Sequence, residues 1–174
     1  MVNVAMLSFA HTHAKGYAKE LKENPRVRLK VVWDEEEYGG RKAAEELGVP
    51  FEADLSAVLS RRDVDGVVIN APSSMHRDLL VHAARARKHI FTEKVMAMTV
   101  AECDEVIGAV KRAKVRFVVS LPFRGRSEVQ LAREVAREGA LGHIGTARLR
   151  LAHRAALDGW FQDKGGSAWF HDKK

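Results

Sequence analysis

Apolar residues along this chain follow two alternating rhythms. Short runs at 3–9, 27–33, 66–70, 89–92 and 117–121 are apolar almost throughout, the pattern of strands buried on both faces of a parallel sheet. Between several of these runs the apolar positions recur at helical spacing. Residues 13–23 carry Tyr17, Ala18 and Leu21; residues 75–87 carry Leu79, Leu80, Ala83 and Ala84; residues 99–114 carry Val100, Cys103, Val106, Ile107 and Val110. Thr99 and Glu102 have the spacing of a capping box. A further helix over 127–138 runs into Gly139, a good C-terminal stop. Alternating strands and helices predict right-handed crossovers and an α/β fold with a doubly wound parallel sheet.

That rhythm breaks after residue 121, at Pro122-Phe-Arg-Gly-Arg126. Over 145–153, Thr146, Arg148 and Arg150 alternate with Ala147, Leu149 and Leu151, predicting a strand with one wet face, as in an antiparallel sheet. Residues 158–174 are rich in Gly, Trp and charge and show no period. We therefore expect a whole dinucleotide-sized domain over 1–121, and over 122–174 a linker helix and the first strand of a truncated second α/β domain. A lone strand with an open edge invites pairing with another copy, so a homo-oligomer is expected.

At 46% hydrophobic and 30% charged residues, the composition excludes a disordered chain or a collagen-like repeat. The single cysteine, Cys103, excludes a disulfide scaffold and favours a reducing compartment. No stretch of apolar residues is long enough to span a membrane and no signal peptide opens the chain, so a cytoplasmic protein is expected. The net charge of +6 is spread along the chain in interrupted groups. It implies a solvated surface, not a nucleic-acid partner.

A doubly wound sheet binds its ligands at the carboxyl ends of the strands. Four clusters sit there: Ser8-Phe9-Ala10-His11-Thr12-His13, Asp34, Asn70-Ala71-Pro72 with His76, and Glu93-Lys94. Asp34, at the end of the second strand, is placed to accept hydrogen bonds from a ribose diol and to repel a 2′-phosphate, so NAD is expected over NADP. Alternatively it only begins the acidic turn Asp34-Glu-Glu-Glu37. The first loop lacks the glycines of a dinucleotide fingerprint, although Ser8 and Ala10 are small and a helix N-terminus offers free amides. His11 and His13 could ligate a metal with His76 or Glu93, but the chain is too short to close the barrel in which such pairs serve. No metal is expected; the two histidines contact a ligand or cap the helix. Lys94 can hydrogen-bond a substrate hydroxyl and shuttle its proton, or form an ordinary exposed ion pair with Glu93. Pro72 shapes its turn, and His76 caps the following helix or lines the cleft.

Together these residues resemble the N-terminal part of the Gfo/Idh/MocA oxidoreductases. The markers are the Ser8 to His13 loop, Asp34, Asp63-Val-Asp-Gly-Val-Val-Ile-Asn-Ala-Pro72 followed by His76, and Lys88-His-Ile-Phe-Thr-Glu-Lys94. Gly139-Ala-Leu-Gly-His-Ile-Gly145 and Trp169-Phe-His-Asp172 complete them. The resemblance implies a nicotinamide-binding Rossmann domain, followed by a domain with a large antiparallel sheet that carries much of the substrate pocket. It implies a dehydrogenase acting on a sugar or polyol hydroxyl. Asp34 would hold the adenosine ribose and the amides around Ala10 to His13 the pyrophosphate. Asn70, Pro72 and His76 would line the nicotinamide half, and Lys94 would match the lysine of the family's E-K-P motif. Here that motif reads Glu93-Lys94-Val95, the loop lacks glycine, and the second catalytic motif of the family is missing. The isolated chain is therefore expected to be inactive. The alternative is an inactive dinucleotide-sensing or protein-binding module of the same fold.

Overall fold

Four of the five apolar runs are valine- and isoleucine-rich, and all five pair in parallel into one sheet in the order β2-β1-β3-β4-β5. The strands are β1 (Val2–Leu7), β2 (Val27–Trp33), β3 (Gly66–Ile69), β4 (His89–Thr92) and β5 (Phe117–Val119). The computed structural model describes residues 1–152 together with Arg154 and Leu157. Side chains alternate between the two faces of each strand. One face presents Ala5, Leu7, Val67, Ile69 and Ile90 to α3 (Leu55–Ser60), α4 (Ser73–Arg85) and α5 (Val100–Ala113), where Val58, Leu80 and Val106 are completely buried. The other presents Met6, Val32 and Val68 to Ala14 and Ala18 of α1 (Ala14–Glu23) and Ala44 of α2 (Glu37–Leu47). Helices on both faces of a parallel sheet make this the doubly wound Rossmann-like fold expected.

Two helices went unread in the sequence. Helix α2 has two glycines in its first half and only Ala44 and Gly40 buried, so it carries almost no apolar stripe. Its signals are at the ends. Glu36 accepts from the amides of Tyr38 and Gly39 at the N-cap, and Gly48 closes the helix at φ 70°. Gly40 has a packing role: a Cβ there would stand 2.5 Å from the Cβ of Asp34 and 2.5 Å from the ring of Phe51. Helix α3 is a single short element capped by Asp54.

Elsewhere the elements agree with the sequence to within a few residues. The first strand stops at Leu7 because Ser8 turns to φ 72°. The Thr99–Glu102 capping box is formed with both of its reciprocal bonds. Beyond β5, a 3₁₀ turn over Pro122–Gly125 leads into α6 (Ser127–Arg137), and Gly139 follows at φ 71°. The strand expected over 145–153 is not formed over 145–152, which lie exposed. A strand requires a partner to pair its amides and carbonyls, and no other strand of an antiparallel sheet exists among the described residues. His153 and the Trp169-Phe-His-Asp172 motif lie outside them. No helix among the described residues is long and apolar enough to cross a membrane.

Candidate functional site

The order in which strands are added reverses at β1, with β2 on one side and β3 on the other, and in a parallel sheet such a switch point places the ligand crevice above the carboxyl ends of β1 and β3. The first loop enters it. Ser8 is completely buried in a left-handed conformation that glycine adopts freely and that costs a serine about 1–2 kcal/mol. The loop thus keeps a glycine's shape without the glycine. Ser8 Oγ accepts from the Ala10 amide at 3.1 Å and donates to Glu35 Oε1 at 3.0 Å. Three more loop amides donate inside the protein: Phe9 to Asp34 Oδ2 at 2.8 Å, His11 to the Asn70 carbonyl at 3.0 Å, and His13 to His11 Nδ1 at 3.1 Å. Most of the donors assigned to a pyrophosphate are therefore already engaged. Thr12 is exposed at the loop's tip.

Asp34 does more than begin an acidic turn. Buried at the end of β2, it joins the first loop to the second through Phe9 and, at 2.9 Å, the amide of Glu36. Burial raises its carboxyl above the ordinary value, opposed by those two backbone amides.

At the end of β3, Asn70 is completely buried, and neither its Oδ1 nor its Nδ2 has a hydrogen-bond partner among the described residues. Ala71 is buried beside it, and Pro72 occupies the N-cap position of α4. His76 neither caps that helix nor faces solvent. Its Nε2 lies 3.0 Å from the Ala71 carbonyl and its Nδ1 beside the Val95 carbonyl. Burial lowers its pKa, opposed by these two backbone carbonyls, and the ring bridges the end of β3 and the residue after Lys94.

Glu93 is the hub of the remaining cluster. It is completely buried, and it accepts from Tyr17 Oη, from His13 Nδ1 at 2.8 Å and from the Lys94 amide at 3.1 Å. Burial alone would raise its pKa, but these hydrogen bonds outweigh it and hold the carboxyl below its ordinary value. Glu93 and Lys94 are thus not an exposed ion pair. Lys94 is half-buried with its Nζ 3.4 Å from His11 Nε2, and the Lys94–Val95 peptide is cis. His11 is buried and its pKa is pushed down to about 4, chiefly by that burial and against the pull of Glu93. His13 sits at the N-cap of α1 but its side chain forms no cap bond there; it turns to Glu93 instead.

Tyr17 and Ser120, bonded to each other at 2.8 Å, belong to this cluster and were missed as site residues. The sequence marks Tyr17 only as an apolar helix position, although a tyrosine facing a core needs a partner for its hydroxyl. That hydroxyl's pKa is pushed up to about 12 by burial and by the hydrogen bond to Glu93.

His11, His13 and Glu93 bring three ligand atoms within 4.8 Å of one another. A cation there would meet a filled cluster. His11 Nδ1 accepts a backbone amide, so the neutral ring carries its proton on Nε2, and Glu93 Oε1 already serves His13 and Tyr17. A dinucleotide suits the residues better. The unsatisfied Asn70 amide at the crevice, the carboxylate ending β2 and the start of α1 fit its nicotinamide, ribose and phosphate ends respectively.

Comparison with known proteins agrees with this fold. Residues 3–121 match the family model described as "Oxidoreductase family, NAD-binding Rossmann fold" (Gfo/Idh/MocA). Among curated proteins, a 2,7-anhydro-N-acetylneuraminate hydratase of Escherichia coli is 27% identical over 169 residues, 97% of this chain and 43% of that protein. Among solved structures, a putative myo-inositol dehydrogenase from Sinorhizobium meliloti superposes with a TM-score of 0.71 at 27% identity, covering 82% of this chain and 43% of the other. The WlbA dehydrogenase from Chromobacterium violaceum, in complex with NADH and UDP-GlcNAcA, gives a TM-score of 0.75 at 26% identity over 81% of this chain and 41% of its own. The chain thus spans less than half the length of the proteins it matches.

Proposed function

Because the chain belongs to the Gfo/Idh/MocA oxidoreductase family, we propose that it is the cofactor-binding part of an NAD-dependent dehydrogenase acting on a sugar or polyol hydroxyl. The observation that carries this reading is Lys94 Nζ lying 3.4 Å from His11 Nε2, with the unsatisfied Asn70 side chain at the end of the neighbouring strand β3. Asn70 would bind the nicotinamide carboxamide and Asp34 the adenosine ribose, whose diol suits a carboxylate where a 2′-phosphate does not. Bound NAD supplies the hydride acceptor. Lys94 hydrogen-bonds the reacting hydroxyl and takes its proton at Nζ as the carbon gives up hydride. Glu93 accepts from the Lys94 amide and His76 contacts the Val95 carbonyl, which fixes the backbone on either side of the Lys94 side chain. Residues 122–174 would begin the domain that carries the substrate pocket, and the similarity to a putative myo-inositol dehydrogenase and to a dehydrogenase in complex with UDP-GlcNAcA supports the substrate class.

The second reading, a dinucleotide-sensing or protein-binding module without turnover, draws on the loop amides of Ala10, His11 and His13 being donated internally. Titration of NADH and NADPH into the purified chain, followed by nicotinamide fluorescence, tests the cofactor assignment. NADH should saturate, with NADPH bound about tenfold more weakly, a difference of roughly 1.4 kcal/mol. Lys94→Ala should leave NADH affinity within about twofold, since the reacting amine contributes little to ground-state cofactor binding. Absence of binding to either nucleotide at millimolar concentration would overturn the reading for this chain.

A further inference from the structure

The stretch Lys88-His-Ile-Phe-Thr-Glu-Lys94 ends in the crevice, but it begins with a lysine at the other end of β4. Helix α4 stops there in a doubly bonded turn. Arg87 takes the left-handed conformation at φ 59°, its amide donates to the Ala84 carbonyl at 2.8 Å, and the Lys88 amide donates to the Ala83 carbonyl at 2.9 Å. The turn carries Lys88 inward until only 7% of it is exposed. Its Nζ donates to the Arg61 carbonyl at 2.6 Å and to the Val64 carbonyl at 2.8 Å, between the end of α3 and the start of β3.

A buried ammonium is ordinarily matched by a carboxylate. None of the ion pairs among the described residues includes Lys88; Asp63 is taken by Arg61 at 2.9 Å and Lys30 at 3.2 Å. Burial lowers the pKa of Lys88, against the pull of Asp65 and Asp63. Lys88 instead lines an open pocket of about 650 Å³ between α3 and the last turn of α4. Arg61, Arg62, His82 and Arg85 line it too, and among the described residues no acidic one does. Arg62 and Arg85 are exposed and form no ion pair among the described residues. Nor are they what closes the helices: turn amides take the His82, Ala83 and Ala84 carbonyls, and Lys88 takes that of Arg61. Leu55 and Leu59 supply an apolar wall. The volume is that of a small-molecule site, well beyond what a bare ion fills.

We propose that this pocket binds a phosphate monoester with an apolar body, its phosphoryl group held by the Arg62 and Arg85 guanidiniums in the field of the buried Lys88 ammonium, its body resting on Leu55 and Leu59. A phosphate dianion supplies the countercharge that the buried ammonium lacks, and guanidiniums grip its oxygens in pairs. The pocket lies toward the amino ends of β3 and β4. It shares no residue with the Lys94 crevice and does not depend on the proposed activity.

The test titrates phenyl phosphate into the whole isotope-labelled chain at low salt, followed by NMR. Signals of residues 55–62 and 82–88 should shift and saturate with a Kd below about 1 mM, while those of the 8–13 loop stay in place. Inorganic phosphate should bind at least about threefold more weakly, for want of the apolar body. Arg62→Glu with Arg85→Glu should weaken phenyl phosphate at least about tenfold, with the remaining amide spectrum unchanged. Arg62→Lys with Arg85→Lys should keep most of the affinity. No saturation by about 10 mM, shifts at the loop in place of the pocket, equal affinity for inorganic phosphate, or a charge-reversed chain that binds as well would each overturn the proposal. These signals report on the pocket whether or not NADH binds at the crevice, so the failure of one reading is distinct from that of the other.

Discussion

Ser8 holds a backbone conformation that its side chain disfavours and uses its hydroxyl to occupy a donor that a phosphate would want. Both effects have one remedy. Ser8→Gly removes the positive-φ penalty and frees the Ala10 amide, so NADH affinity should rise several-fold, on the order of 1 kcal/mol, measured by the same fluorescence titration. His11 makes a different prediction. Its folded-state pKa of about 4 lies below the ordinary 6.5. Between those values the unfolded chain binds a proton that the folded chain does not, so this contribution is complete above about pH 6.5 and is lost as the pH falls toward 4. Glu93, held below its ordinary 4.5, continues the loss at lower pH. Urea-unfolding free energies should therefore drop on the order of 2–3 kcal/mol across the histidine window, and His11→Asn should flatten the curve there. At this scale the sequence was legible where chemistry is local. Asp34, Lys94 and the glycine-less loop are visible as residues at strand ends. What it concealed was pairing between segments far apart in the chain. Glu93 meeting Tyr17, and Ser120 meeting Tyr17, require α1 to reach across the sheet to the adjacent ends of β4 and β5.

Helices and strands follow their own logic. The capping box of α5 satisfies two orphan amides on an exposed surface far from the crevice. Thr99→Ala should cost about 1 kcal/mol, seen as a lower denaturation midpoint with unchanged NADH binding. Gly40→Ala should do the reverse of a neutral surface change. With Asp34 and Phe51 each 2.5 Å from the new Cβ, α2 must move outward, at about 1–3 kcal/mol, and NADH affinity should fall with stability because Asp34 moves too. Strand β2 was readable residue for residue because its valines, leucine and tryptophan hold strand spacing around Arg28 and Lys30 and finish in a buried Val31-Val-Trp33 run. Helix α2 was not, because a helix that packs through Gly40 and Ala44 has almost no side chain with which to mark its buried face. The strand expected over 145–153 shows the opposite failure. An alternating pattern states what a segment could pair with, and pairing is decided by whether a partner is present.

The whole chain separates two tasks along the strand direction. The buried polar cluster of His11, Asp34, Asn70 and Glu93 gathers at the carboxyl ends of the strands, and an open groove of about 340 Å³ lined by Val4, Tyr17, Val68 and Phe91 reaches toward their amino ends. Saturating NADH should stabilise the chain by about 2.7 kcal/mol at a hundredfold excess over its Kd, visible as a thermal shift, without changing the sedimentation coefficient. Tyr17 is where the two ends meet. Its ring is a wall of the groove and its hydroxyl is one of the donors on Glu93, the residue directly before Lys94. A guest in the groove would therefore bear on the ring whose hydroxyl holds Glu93 at the end of β4. Since the chain has only two tyrosines and Tyr38 stands exposed, the ultraviolet difference spectrum of this one half-buried phenol can announce, from inside the molecule, when the groove is filled.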